Sequence, residues 1–156
     1  MQSGLLLYCE VPNIIKKLRK KYDEHQHLPS HITLSYLINT DYTDLLSILN
    51  KQKKITIFLD KIIIKEDIIA LKMSDDKILY NITKKINKYI DKLPKSGFHL
   101  TLAYNREYKK INNNIKKKIL SNLKLPIKVN ITKIWLMKRN KNIGKDWYRS
   151  KTIFLK

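Results

Sequence analysis

His31-Ile32-Thr33-Leu34 is a four-residue phrase that the chain repeats as His99-Leu100-Thr101-Leu102, and the fold follows from how the two copies are read. Each lies in a short apolar run, SHITLSYLI and GFHLTLAY, whose β-branched and aromatic content beside Pro or Gly turns is that of a buried strand. Side chains alternate faces along a strand. His and Thr two positions apart therefore point the same way, about 6–7 Å from each other, while the Ile or Leu between them points into the other layer. Each strand presents one imidazole and one hydroxyl together.

Upstream, Gly4 to Cys9 has strand composition, and Pro12 opens a helix at a position where its missing N–H costs nothing, with Ile14, Ile15, Leu18 and Tyr22 on the apolar stripe. After the first copy, Thr40 or Asp41 is expected to cap a helix carrying Leu45, Leu46, Ile48 and Leu49 and ending near Asn50. Residues 54–73 hold two β-rich runs around Lys65-Glu66-Asp67, the pattern of an antiparallel hairpin. Ser74 with Asp75 and Asp76 marks a helix start, and Ile78, Ile82, Ile86, Tyr89, Ile90 and Leu93 keep helical spacing as far as Pro94. Beyond the second copy Asn105 should cap a helix with Ile111, Ile115, Ile119 and Leu123 on one side. IKVNITKIWLMK and YRSKTIFL then close the chain as an antiparallel pair around a polar loop.

That order, βαβα-ββ-αβα-ββ, contains two strand–helix blocks with one His-x-Thr strand each. The expected architecture is α+β and bilobal: two small antiparallel sheets related by a pseudo-twofold, helices on the outside and a central groove lined by both motifs. No linker or composition break divides the chain, so residues 1–156 are expected to form one domain.

Lys and Arg number 33 against 13 Asp and Glu, a net charge of +20, which favours an anionic partner and leaves non-specific RNA binding open. The abundance of Lys, Ile and Asn also fits an AT-rich genome, so part of this charge is equally read as solvated surface. The lone Cys9 excludes an internal disulfide or a Cys-based zinc site and reads as a buried strand residue. MQSGLLLYCEVP has no basic leader, and no later run approaches about 18 apolar residues. The expectation is a cytoplasmic monomer with no membrane association. His25 and His27, with His31, could in principle ligate a metal, but loop histidines of this kind are usually solvated, and no metal or cofactor is expected.

Two facing histidines suit phosphodiester cleavage without a metal. An imidazole titrates near neutrality, so one can accept a proton from the nucleophile while the other donates to the departing oxygen, each transfer being worth about 10²–10⁴-fold. Thr33 and Thr101 can donate to the non-bridging phosphate oxygens as charge builds there. His31, Thr33, His99 and Thr101 are the candidate catalytic residues.

These same residues resemble the paired H-x-[ST]-h signature, h being hydrophobic, of the 2H phosphoesterase superfamily, which includes 2′-5′ RNA ligase-like proteins and cyclic phosphodiesterases. The likeness in element order runs over essentially the whole chain. Many members place Pro directly before the first His, where this chain has Ser30 after Pro29. The resemblance implies the bilobal fold, a metal-independent site, and a small nucleotide or oligonucleotide substrate whose phosphodiester is linked through a ribose 2′ oxygen. The drifted composition, common in large DNA viruses and phages, directs this expectation towards cyclic or 2′-5′-linked signalling nucleotides of host antiviral immunity. RNA end processing at 2′,3′-cyclic phosphates and a non-catalytic RNA-binding module are the alternatives.

Substrate-binding candidates surround the motifs. Tyr8 is either a core tyrosine or a groove residue placed to stack on a base. Ser35 shares the expected face of His31 and Thr33, whereas Tyr36 falls on the Ile32 and Leu34 side as core or rim. Lys138, Arg139, Trp147, Tyr148 and Arg149 surround one loop, either a grip for phosphate and base or an ordinary hairpin tip.

Overall fold

The computed structural model describes residues 2–24, 28–105, 111–139 and 147–156. Its strands are β1 (Gln2–Glu10), β2 (His31–Leu37), β3 (Ile55–Leu59), β4 (Lys61–Ile64), β5 (Ile68–Lys72), β6 (Ile90–Lys92), β7 (His99–Tyr104), β8 (Ile127–Arg139) and β9 (Tyr148–Phe154). The helices are α1 (Asn13–Tyr22), α2 (Thr43–Asn50), α3 (Lys77–Lys85) and α4 (Asn113–Ser121).

The antiparallel strands lie in the order β3-β8-β1-β2-β7-β5-β4, with β9 also pairing with β8 and β6 also pairing with β2. Two half-sheets, one around β1 and β8 and the other of β7, β5 and β4, meet where β2 pairs with β7 at Ile32 and Leu100. The expected pair of sheets is thus hydrogen-bonded into one. Ile32, Leu34, Leu100 and Leu102 are fully buried, as are Ile15 of α1, Leu45 of α2, Leu79 of α3 and Ile119 of α4, all in one apolar cluster. Burying each such side chain stabilises the fold by about 1.5–3 kcal/mol.

Three expectations are corrected. Residues 54–73 form three strands, not a simple hairpin: β4 and β5 pair as expected, but Asp60 breaks the first run, and β3 pairs with β8 instead. The side chain of Asp60 accepts the Ser74 amide at 2.7 Å, while its own amide donates to the Lys72 carbonyl at 3.0 Å. The periodic stretch after Ser74 is helical only over Lys77–Lys85. It then makes a single 3-10 turn at Asn87–Tyr89 and enters β6, where pairing with Tyr36 and Leu37 outweighs helical spacing. Helix α4 is capped by Asn112, whose Oδ1 accepts the Ile115 amide at 2.9 Å, rather than by Asn105. Asp41 sits just before α2 and accepts from the Thr43 amide and hydroxyl. Those bonds to the charged form hold its carboxyl below the ordinary range.

Candidate active site

The single pair joining the half-sheets also organises the site. The strands run antiparallel there, with Ile32, the second residue of one motif, opposite Leu100, the second residue of the other. Extending that register by one residue puts His31 opposite Thr101 and Thr33 opposite His99. Each imidazole is thereby set across from the other strand's hydroxyl. Cα atoms directly across are about 4.5–5.5 Å apart and the two histidines, on a diagonal, about 7–8 Å apart. All four side chains line one cavity of about 340 Å³.

The imidazoles are held in the same way. His31 Nδ1 lies 2.8 Å from the Pro29 carbonyl oxygen and His99 Nδ1 lies 2.9 Å from that of Gly97. A carbonyl only accepts, so each Nδ1 must carry the proton and donate, leaving Nε2 as the atom that gains or gives a proton. Gly97 serves this geometry. Its φ of +70° lies in the left-handed region that glycine occupies without strain and turns its carbonyl to the ring two residues on.

Bulges directly after the motifs correct the face assignments. The β1–β2 register jumps from Leu6–Thr33 to Leu5–Ser35, leaving Leu34 extra, and the β5–β7 register jumps from Ala70–Thr101 to Ile69–Ala103, leaving Leu102 extra. In each strand two successive residues then face the core: Leu34 with Ser35, and Leu102 with Ala103. Ser35 is accordingly fully buried away from the groove, and its hydroxyl has no partner. Tyr36 and its counterpart Tyr104 turn into the cavity. Strict alternation misses Tyr104 and misplaces Tyr36, although the repeat extends to HITLSY and HLTLAY.

The remaining candidates divide. Arg139 and Trp147 line the groove, the Trp147 ring lying 6.3 Å from that of Tyr36. Lys138 lies between Met137 and Arg139, which both line the groove, and so faces the other way. Tyr148 is about half exposed, and the Arg149 guanidinium rests 5.3 Å over the Trp135 ring; neither lines the cavity. Tyr8 pairs with His31, but its ring packs at 5.2 Å on Trp135 and lines an adjoining hollow with Lys16 and Lys20. His25 and His27 lie outside the described residues. Among the described residues, no group of three or more His, Cys, Asp and Glu stands together as a metal site.

Sequence reasoning also missed Arg19 and Asp23 of the cavity wall. Arg19 Nε and Nη2 donate to Asp23 Oδ2 at 3.0 and 2.7 Å, with both residues almost fully buried. Backbone contacts tie this end of α1 to β7: Asp23 forms a bridge with Tyr104, whose carbonyl accepts the Glu24 amide at 3.2 Å. Arg19 sits one turn after Ile15 and directly beside Leu18 on the apolar stripe, and that placement was the available signal. Gly4 forms part of the floor, where an added Cβ would lie 3.7 Å from the Tyr36 ring and 3.8 Å from Trp147.

No family model matches the chain, and no curated protein matches it. Solved structures do. A phosphoesterase crystal structure aligns over 99% of this chain and 98% of its own with 14% identity and a TM-score of 0.58. E. coli LigT complexed with NADP+ aligns over 99% of both chains with 15% identity and a TM-score of 0.59. E. coli LigT complexed with 3′-AMP aligns over 99% of this chain and 97% of its own, with 15% identity and a TM-score of 0.56. The nine-stranded sheet with its four helices among the described residues thus has the LigT-like fold.

Proposed function

We propose that this protein is a metal-independent phosphodiesterase that hydrolyses 2′-linked phosphodiesters by two-histidine acid–base catalysis. The observation carrying this reading is the pairing at Ile32 and Leu100, which sets two carbonyl-anchored histidines and two threonines around one cavity. The phosphodiester lies between the imidazoles. One neutral Nε2 takes the proton of the attacking oxygen as its new bond to phosphorus forms. The protonated Nε2 opposite supplies a proton to the ribose oxygen as the old bond breaks. The products are a phosphomonoester and a free hydroxyl, and a proton exchange with water resets the pair. Thr33 and Thr101 donate to the non-bridging oxygens, each such donor being worth about 3 kcal/mol in the transition state.

Trp147 and Tyr36 offer a nucleobase aromatic surfaces, and Arg139 with the general excess of cations suits its phosphates. The substrates this favours are cyclic or 2′-5′-linked signalling nucleotides such as those of host antiviral immunity, acted on by a monomer in the cytoplasm. The test is a chromatographic screen in EDTA against 2′,3′-cyclic mononucleotides, 2′-5′ oligoadenylate, mixed-linkage cyclic dinucleotides and 3′-5′ RNA. Turnover of a 2′-linked substrate is expected. Turnover of 2′,3′-cyclic RNA ends alone would make the protein an end-processing enzyme. Salt-sensitive RNA binding without any turnover would make it a binding module.

A further inference from the structure

A second hollow of about 450 Å³ adjoins the central cavity on the His99 side, and Thr33, Tyr36, His99 and Trp147 wall both. Lys92, Lys95 and Arg139 line the outer hollow, and no acidic side chain does so among the described residues. Lys92 Nζ lies 5.4 Å over the Tyr36 ring, which places one positive charge at a wall that the two hollows share. Arg139 Nε is buried with no hydrogen-bond partner among the described residues, so the guanidinium is not spent on a partner at that atom. Lys65 Nζ reaches Ser96 Oγ at 3.3 Å, bringing a further cation to the same loop. The three lining cations Lys92, Lys95 and Arg139, with an aromatic wall and no acid among the described residues, define a place for an anion beside the His99 end of the site.

We propose that this hollow is a second-phosphate subsite, so that the preferred substrate carries a further phosphate on the nucleotide flanking the scissile bond. This rests on the phosphodiesterase reading above and narrows it. Linear or multiply phosphorylated nucleotides are favoured over a nucleoside 2′,3′-cyclic monophosphate, which would leave the subsite empty.

Binding tests this separately from turnover. Calorimetric titration compares adenosine 2′-monophosphate with adenosine 2′,5′-bisphosphate at about 0.1 M salt. The bisphosphate is expected to bind at least tenfold more tightly. That ratio should collapse towards one in the Lys95→Gln, Arg139→Gln double variant. It should persist in Lys117→Gln, which removes one exposed charge from α4 and controls for net charge. Equal affinities, absence of binding, a ratio that survives the double variant, or one that falls as much in Lys117→Gln would each overturn the subsite. A silent hydrolysis screen with the ratio intact would remove the catalytic reading and leave the subsite standing.

Discussion

The two ends of the groove share a core and differ in everything around it. At both, a histidine opens a strand, donates from Nδ1 to the carbonyl two residues back, and is followed by a threonine, a bulged leucine, a small buried residue and a tyrosine. Beyond that the likeness ends. The Tyr104 end is closed by the buried Arg19–Asp23 ion pair, whereas the Tyr36 end opens onto Trp147 and the Lys92, Lys95 and Arg139 hollow. What repeats is what one strand can dictate by its own geometry. What differs comes from elements packed against it.

Equivalence of the motifs can be broken at the histidines, where the largest effects are expected. His31→Ala and His99→Ala should each lower kcat by about 10²–10⁴-fold in steady-state assays, with both variants retaining the wild-type Tm within a few degrees. Thr33→Val and Thr101→Val should each cost about a hundredfold, near 3 kcal/mol. Full activity in either histidine variant would reduce the site to one half.

The next effect separates the ends by stability. Asp23→Ala leaves the Arg19 guanidinium buried without its counter-ion and should destabilise the fold by about 3–5 kcal/mol in urea titration. Removing the exposed charge of Lys95 at the other end should change stability by less than about 0.5 kcal/mol. Similar losses at both ends would show that the closed end is no more tightly built than the open one.

The last effect has the opposite sign. Ser35 and Ala103 occupy equivalent buried places after the bulges, but only Ser35 buries a hydroxyl, and it has no partner. Ser35→Ala should stabilise the protein by up to about 1 kcal/mol in the same titration. A loss of stability would show that the hydroxyl is bonded in solution.

Much of the architecture, and the four residues that come to line one cavity, were legible because they depend on local pattern. Apolar alternation announced β2 and β7, and the repeated His-x-Thr placed an imidazole and a hydroxyl on one face of each. The errors arose where a partner strand overrides the local period. Tyr36 and Ser35 exchange faces because a bulge inserts one residue, which is visible only in the register with β1. Ile90 continues a helical stripe yet joins β6, because β2 offers it a backbone partner. Beyond the place of Arg19 beside the apolar stripe, Arg19 and Asp23 carry no signal of their own in the sequence, because their burial depends on the packing of α1 against β7. Lys92 and Arg139, distant in sequence, become neighbours only across β2, β1 and β8.

On the proposed mechanism, joining the half-sheets through Ile32 and Leu100 ties activity to a seam rather than to the bulk of the core. Either half carries one imidazole and one hydroxyl, and neither carries an acid–base pair. Catalytic competence therefore cannot accumulate gradually along the folding chain; it arises when two remote segments dock, a closure of high contact order. The reverse also holds. A fluctuation that parts β2 from β7 would disperse all four groups while leaving most of the buried helices in place. Loss of turnover on warming should then precede loss of helical signal, and the interval between the two measures the strength of the seam.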